Sequence, residues 1–264
     1  MNSPFAMVKF PRTQHLEGSR LQPGDDDLGQ VPFADLAGRH VVVKEKIDGA
    51  NAGLRFDAAG RVWLQSRGHF LGGGPREHHF DLFKRWAAGR VVDLWPVLGS
   101  HFALYGEWAY AKHTIYYDAL PHYFLAFAVL DSTTGTFLST DRSRALLDGT
   151  PVAWLPSLYE GPATTLDALL ALLGRSAYKT DNWRDALRDE TARWGLDVEK
   201  AVAETDPTDA MEGLYVTVEE GGAVAERYKW VRHGFLQVVA DSETHWLRRP
   251  VIPNRLADGV DLFG

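Results

Sequence analysis

The sequence predicts an α+β fold in which antiparallel sheets flank a cleft and a helical segment interrupts the strands. Short strand-like runs bounded by turn signals cluster at 40–66, 102–138 and 213–231. Between the last two clusters, Leu166, Leu169, Leu170 and Leu173 fall at i, i+3, i+4 and i+7, the spacing of a helix face. The chain has 264 residues, 45% of them hydrophobic, enough for one large domain or a domain with an insertion.

In chain order, residues 1–39 read as mostly irregular, because Pro4, Pro11, Pro23, Pro32 and the Gly24–Asp27 turn break any long element. Arg12, Thr13 and His15 are polar groups that read first as a plain surface loop, with contact to a substrate phosphate as the alternative. The first strand is 40–47. Alternation puts Val42, Lys44, Lys46 and Asp48 on one side and Val41, Val43, Glu45 and Ile47 on the other. Strands at 52–56 and 61–66 flank the turn Asp57–Gly60 as a hairpin. Gly72-Gly73-Gly74 is a flexible break without the downstream lysine that a P-loop needs. A helix is expected over 76–88, carrying Phe80, Phe83 and Trp86. His78 and His79 are adjacent on it and point different ways, a poor arrangement for metal ligation.

Strand 102–109 carries one acid, Glu107, which is costly to bury without a partner. The run 122–131 is apolar on both faces and reads as a central strand, turning at 131–135 into a short strand at 136–138. Residues 141–210 read as a helical insertion. Its first helix has Thr164 and Asp167 as a capping-box-like pair and Gly174 at its end, and further helices cover 181–193 and 197–204. Strands return at 213–219 and 223–231 about the turn Glu220-Gly221-Gly222, and a short strand comes next at about 235–240. The tail from Pro250 has no strong pattern.

The formal net charge of −7 argues against a protein that coats nucleic acid through a basic surface, but leaves room for a local basic groove. There is no cysteine, which excludes disulfides and cysteine-ligated metals. No apolar run approaches the ~20 residues of a membrane span, and the expectation is a soluble cytoplasmic protein with no membrane partner.

Lys46-Ile47-Asp48-Gly49 alone is a weak motif. Its weight comes from an ordered set of downstream residues: Asn51, Arg67 after Ser66, Glu107 in Tyr-Gly-Glu-Trp, Phe127 in mid-strand, Glu212-Gly213 opening a strand, and Arg227-Tyr228-Lys229 in the last long one. In this order the chain resembles the covalent nucleotidyltransferases, the superfamily of ATP-dependent RNA and DNA ligases and mRNA capping enzymes. The matches are motif I (Lys46, Asp48, Gly49), motif III (Glu107), motif IIIa (Phe127), motif IV (Glu212, Gly213) and motif V (Lys229). Glu45 before the lysine, Asn51 after the glycine and Arg67 one hairpin later look most like RNA ligases of the phage RNA ligase 2 type. Two features depart from the pattern. Arg227 stands where the family often has a first motif V lysine, and few residues come after Lys229.

The resemblance implies a ligase adenylation fold over 1–264, with antiparallel sheets around a nucleotide cleft, while the few residues after Lys229 give the expectation of no C-terminal OB-fold. It implies ATP as substrate, Mg²⁺ or Mn²⁺ as cofactor, and a nucleic acid, RNA, with 5′-phosphate and 3′-hydroxyl ends. An end-healing or RNA-binding protein would be a partner, and RNA repair the setting. Lys46, Asp48 and Lys229 would be catalytic. Glu45, Ile47, Gly49, Asn51, Arg67, Glu107, Phe127, Glu212, Arg227 and Lys229 would bind nucleotide, and Glu107 and Glu212 the metal. A lysine attacks phosphorus only when unprotonated, so neighbouring positive charge from Lys44, Arg67, Lys229 or a metal ion is expected to lower the Lys46 pKa. A DNA ligase, a guanylyltransferase and a non-catalytic nucleotide- or RNA-binding module are the alternatives.

Overall fold

The computed structural model describes residues 5–21, 29–235 and 250–264. Twelve strands among them form two six-stranded sheets. In chain order they begin with β1 (Gln14–Leu16), β2 (Gln30–Val31), β3 (His40–Glu45), β4 (Ala50–Phe56) and β5 (Val62–Ser66). Helices α1 (Asp81–Gly89) and α2 (Val91–Leu98) precede β6 (Phe102–Trp108), β7 (Phe124–Asp131) and β8 (Thr136–Phe137). Then come α3 (Thr140–Leu147), β9 (Ala153–Trp154), β10 (Ser157–Pro162), α4 (Leu166–Leu170), α5 (Trp183–Arg193) and α6 (Val198–Ala203). The hairpin β11 (Gly213–Glu220) and β12 (Ala223–Val231) closes the set.

The first sheet runs β10-β3-β11-β12-β1-β2 and the second β5-β4-β6-β7-β8, with β9 alongside β7. Pairing is antiparallel except at β1 with β12, β1 with β2, and β7 with β9. The expected antiparallel α+β architecture is therefore present, with parallel additions. On one side of the second sheet, α1 and α2 bury Phe83, Trp86, Leu94 and Leu98 against Leu54, Leu104 and Phe124. On one side of the first, Leu169 of α4 packs with Val41, Val43, Leu214 and Val216. Phe10, Tyr105 and Phe127 meet Tyr215 between the sheets, so the layers obey ordinary helix–sheet and sheet–sheet packing.

Two glycines fix close strand contacts. A Cβ at Gly106 would lie 2.6 Å from the Phe124 ring and 2.7 Å from the Leu125 carbonyl oxygen. One at Gly213 would lie 1.9 Å from the Trp230 carbonyl oxygen, so β11 can start against β12 only without a side chain there.

Several expectations are corrected. The described part of residues 1–39 is mostly irregular as expected, but the short strands β1 and β2 within it extend the first sheet beyond β12. The segment 141–210 is not purely helical: β9 joins one sheet and β10 joins β3 in the other. Strand 40–47 ends at Glu45, and helix 166–173 is only Leu166–Leu170, capped by Thr165 Oγ1 accepting from Ala168 N. Helix 76–88 is a 3-10 turn (Pro75–Phe80) leading into α1. Helix α2, which contains Pro96, has no counterpart in the sequence reading. The strand expected at about 235–240 lies, beyond Phe235, outside the described residues.

Candidate active site

The site forms where β3 runs out. Lys46 N donates to Gly213 O at 2.9 Å, one rung past the end of β3, which brings Lys46 beside the residue preceding Gly213. That residue is Glu212, only 1% exposed, and its Oε2 accepts from Lys46 Nζ at 2.7 Å. A Cβ on Gly49 would come within 3.0 Å of Glu107 Cγ and of the Trp108 carbonyl oxygen, so this glycine lets the turn into β4 lie close against β6. Asn51 then pairs opposite Glu107 across β4 and β6.

These elements wall a cavity of about 560 Å³, a volume in the range of small-ligand sites. Lys46, Asp48, Lys229, Glu45, Ile47, Gly49, Asn51, Arg67, Glu107, Phe127 and Glu212 all line it. Of the expected site residues, Arg227 alone does not. Its guanidinium lies over the Phe137 ring at 4.2 Å and the Phe10 ring at 5.6 Å.

Asp48 lines the cavity, adds to the negative charge about Lys46, and also braces a loop. Its Oδ2 accepts from Thr114 N and Ile115 N, both at 2.7 Å, while Asp48 N donates to Tyr117 Oη at 2.9 Å. It fastens the 113–117 loop to the end of β3. Glu45 is buried, accepting from Ser176 Oγ at 2.5 Å and Ala177 N at 3.1 Å, and burial pushes its carboxyl up to about 7. The 141–210 segment thereby grips the residue before the lysine. Ile47 is core, and the Oδ1 of Asn51 is a buried acceptor without a partner at the cavity wall. Phe127 lines the cavity with its ring against Phe10 (5.1 Å) and Tyr215 (5.6 Å).

The electrostatics reverse one expectation. Burial draws the Lys46 pKa down, but Glu212, Glu107 and Asp48 outweigh it and the net direction is upward. Lys44 does not act on Lys46 as expected. Its amine donates to Thr140 Oγ1 at 2.9 Å, lies 5.5 Å from the Trp154 ring, and is drawn down to about 8, chiefly by burial. Alternation along β3 places the two lysines on a shared face but cannot reveal that α3 occupies part of it. Glu107 is pushed up to about 8, by burial first and then by Glu212 and Asp48, against the pull of Lys46.

Among the described residues, no group of three or more His, Asp and Glu is arranged as a metal site. Glu107 and Glu212 are hard oxygen donors that suit Mg²⁺ or Mn²⁺, ions that keep water and phosphate oxygens in their shell. Phe10, Thr13, Ser66, His69, Phe80, Leu155 and Tyr215 also line the cavity. Of these, only Thr13 stands out in the sequence, as a polar group that either reaches a phosphate or sits in a plain loop. No motif points to the rest.

Two sheets enclosing a lysine among carboxylates, with a second lysine from the last strand, define the nucleotidyltransferase type of fold. The RNA ligase family profile matches residues 39–231, and the chain belongs to that family. Among curated proteins, none matches in sequence. Solved structures of an RNA ligase from Naegleria gruberi are similar in fold. A mutant with ATP and Mn has 15% identity and a TM-score of 0.55, over 89% of this chain and 59% of that one. The structure with PPi has 15% identity and a TM-score of 0.53, over 91% and 62%. Another mutant with ATP and Mn has 14% identity and a TM-score of 0.54, over 87% and 58%. The chain thus spans about three fifths of the length of these ligases. None of its described helices is long and apolar enough to cross a membrane.

Proposed function

We propose that the chain is an ATP-dependent RNA ligase that works through a lysyl–AMP intermediate at Lys46. The observation that carries this is the Lys46–Glu212 pair at 2.7 Å on the wall of the 560 Å³ cavity, with Glu107 and Lys229 on the same cavity. The family match and the ATP-bound relatives of similar fold support it.

Lys46 must first lose the ammonium proton that its carboxylate neighbours favour; as the neutral amine its Nζ attacks the α-phosphorus of ATP, forming a P–N bond as the bond to the bridging oxygen breaks and pyrophosphate leaves. Its departing proton has Glu212 Oε2 as the adjacent acceptor. Glu107 and Glu212 would hold Mg²⁺ or Mn²⁺, which when bound supplies positive charge to the phosphates and offsets the carboxylates. Lys229 faces the same phosphate charge, and the Phe127 ring suits stacking on the adenine. AMP then passes to a 5′-phosphate, and a 3′-hydroxyl displaces it to form the phosphodiester. An RNA-repair role in the cytoplasm, served by a partner protein that positions or heals the strand ends, fits this chemistry, as does a single nucleotidyltransferase domain over 1–264.

The test is incubation with α-labelled ATP or GTP and Mg²⁺, then denaturation. Label that survives with ATP and is absent in Lys46→Ala is expected. No label with either nucleotide, or undiminished label in the variant, sinks the covalent mechanism. Sealing assays on nicked and single-stranded RNA and DNA then assign the substrate.

A further inference from the structure

The loop that carries Arg67 and His69 to the cavity is fastened at both ends by groups outside any motif. At its start, Ser66 N donates to His69 O at 2.9 Å, and Ser66 Oγ lies 3.0 Å from His69 Nδ1. At its end, the amides of the triple-glycine run are occupied by the chain's own carboxylate. Glu77 Oε1 accepts from Gly72 N at 3.1 Å and Oε2 from Gly73 N at 2.8 Å, while Lys84 Nζ pairs with Oε2 at 2.8 Å. Glu77 is only 6% exposed, and although burial alone would push its carboxyl up, Lys84 and the glycine amides bring it down to about 2. The glycine run is thus no phosphate cradle, since an internal anion already fills it.

Between these fastenings Arg67 and His69 are exposed, and both line the cavity. The neighbouring wall sets Glu107, Glu212 and Asp48 beside Lys46 and Lys229. A polyanionic ligand entering such a cavity gains from further counter-charge, and donors on a pre-ordered backbone lose less entropy in binding it.

We propose that residues 66–77 form a preset phosphate-binding wall in which His69 contacts a phosphate group and Glu77 is the positioning residue that holds the wall in place. The phosphate is either the outer part of ATP or the 5′-phosphate of the nucleic acid. This rests on the ligase reading above; the assignment of His69 and Glu77 goes beyond it.

The test compares ligands that differ only in phosphate. Affinities of the full chain for ATP against AMP, and for a 5′-phosphorylated against a 5′-hydroxyl oligoribonucleotide, are measured by titration for wild type, His69→Ala, Glu77→Gln and Lys84→Met. Loss of one charge-assisted contact corresponds to about tenfold weaker binding of the phosphate-bearing member of one pair, with the other member within about twofold. Which pair responds identifies the phosphate. Glu77→Gln should show a smaller loss of the same kind. Lys84 lies outside the cavity, so Lys84→Met should reproduce that loss even if Glu77→Gln fails to fold. Equal effects on both members of both pairs, or none, would overturn the proposal. Wild-type protein that binds neither ATP nor oligonucleotide would overturn the ligase reading and this inference with it. Normal wild-type binding with indifferent variants overturns the inference alone.

Discussion

Replacing Glu212 by Gln tests whether carboxylates hold the Lys46 amine protonated in the ligand-free site. At the 2.7 Å separation of the pair, Coulomb's law with an effective dielectric of ~20 gives an attraction of ~6 kcal/mol. Lys46 keeps 23% of its side chain exposed, and a Gln would still accept a hydrogen bond, so about half of that attraction, ~3 kcal/mol, is expected to be lost and the Lys46 pKa to fall. Glu107 and Asp48 remain in the variant and limit the fall. The assay is acylation of Lys46 by a small amine-directed reagent across alkaline pH, without nucleotide or metal, read by mass spectrometry of the Lys46 peptide. Wild type should titrate above the ordinary lysine value of 10.5, and Glu212→Gln well below wild type. Glu219→Gln is the control, because Glu219 accepts from Thr140 and Thr217 on the Lys44 side of the sheet. A Glu212→Gln midpoint at or above wild type, or an equal fall in Glu219→Gln, would refute the reasoning.

The other predictions concern the frame around this pair. Gly213→Ala forces a Cβ to within 1.9 Å of the Trp230 carbonyl oxygen, so β11 and β12 must part. A cost of ~3 kcal/mol is expected, seen as a fall in Tm of ~6–12 °C; a change under ~2 °C would show that the strands give way easily. Asp48→Asn weakens the acceptor of two backbone amides and should cost ~1–2 kcal/mol in denaturant unfolding, with faster amide exchange at Thr114 and Ile115. Unchanged exchange there would remove Asp48 as the anchor of the loop. The raised carboxyls of Glu107 (about 8) and Glu45 (about 7) mean that the folded chain keeps protons the unfolded chain has released above the ordinary 4.5. Stability from these groups therefore falls as pH rises from about 4.5 to about 8, and Glu107→Gln should flatten that decline. A decline as steep in the variant as in wild type would place its origin elsewhere.

What could be read from the sequence and what could not divides along a physical line. Strands β3 to β7 and the β11–β12 hairpin announce themselves through local alternation and turn chemistry, and the motif residues sit on them or at their ends. That is why Lys46, Glu107, Phe127, Glu212 and Lys229 converge on one cavity as their order implied. Partners set by tertiary contact left no local trace. Nothing near Glu45 in sequence indicates that Ser176, 131 residues away, would bind its carboxylate. Nothing near Lys44 indicates Thr140, 96 residues away. Lys44 of β3 and Lys46 just past its end show the consequence. Alternation treats Lys44 and Lys46 as equivalent members of one face, yet one amine is enclosed by a threonine hydroxyl and an indole while the other is ringed by carboxylates. Arg227 and Lys229 repeat the case on β12. They too share a face by alternation, but the aromatic rings of Phe10 and Phe137 hold the arginine while the lysine lines the cavity. In both strands the residue of the pair farther along the chain is the one on the cavity. The antiparallel pairing explains this. The end of β3 and the start of β11 meet at Lys46 and Gly213, and Tyr215 of β11 pairs with Lys229 of β12 and also lines the cavity. The site therefore gathers at one end of this sheet, and strand polarity, which a motif does not record, decides which lysine of each pair can reach it.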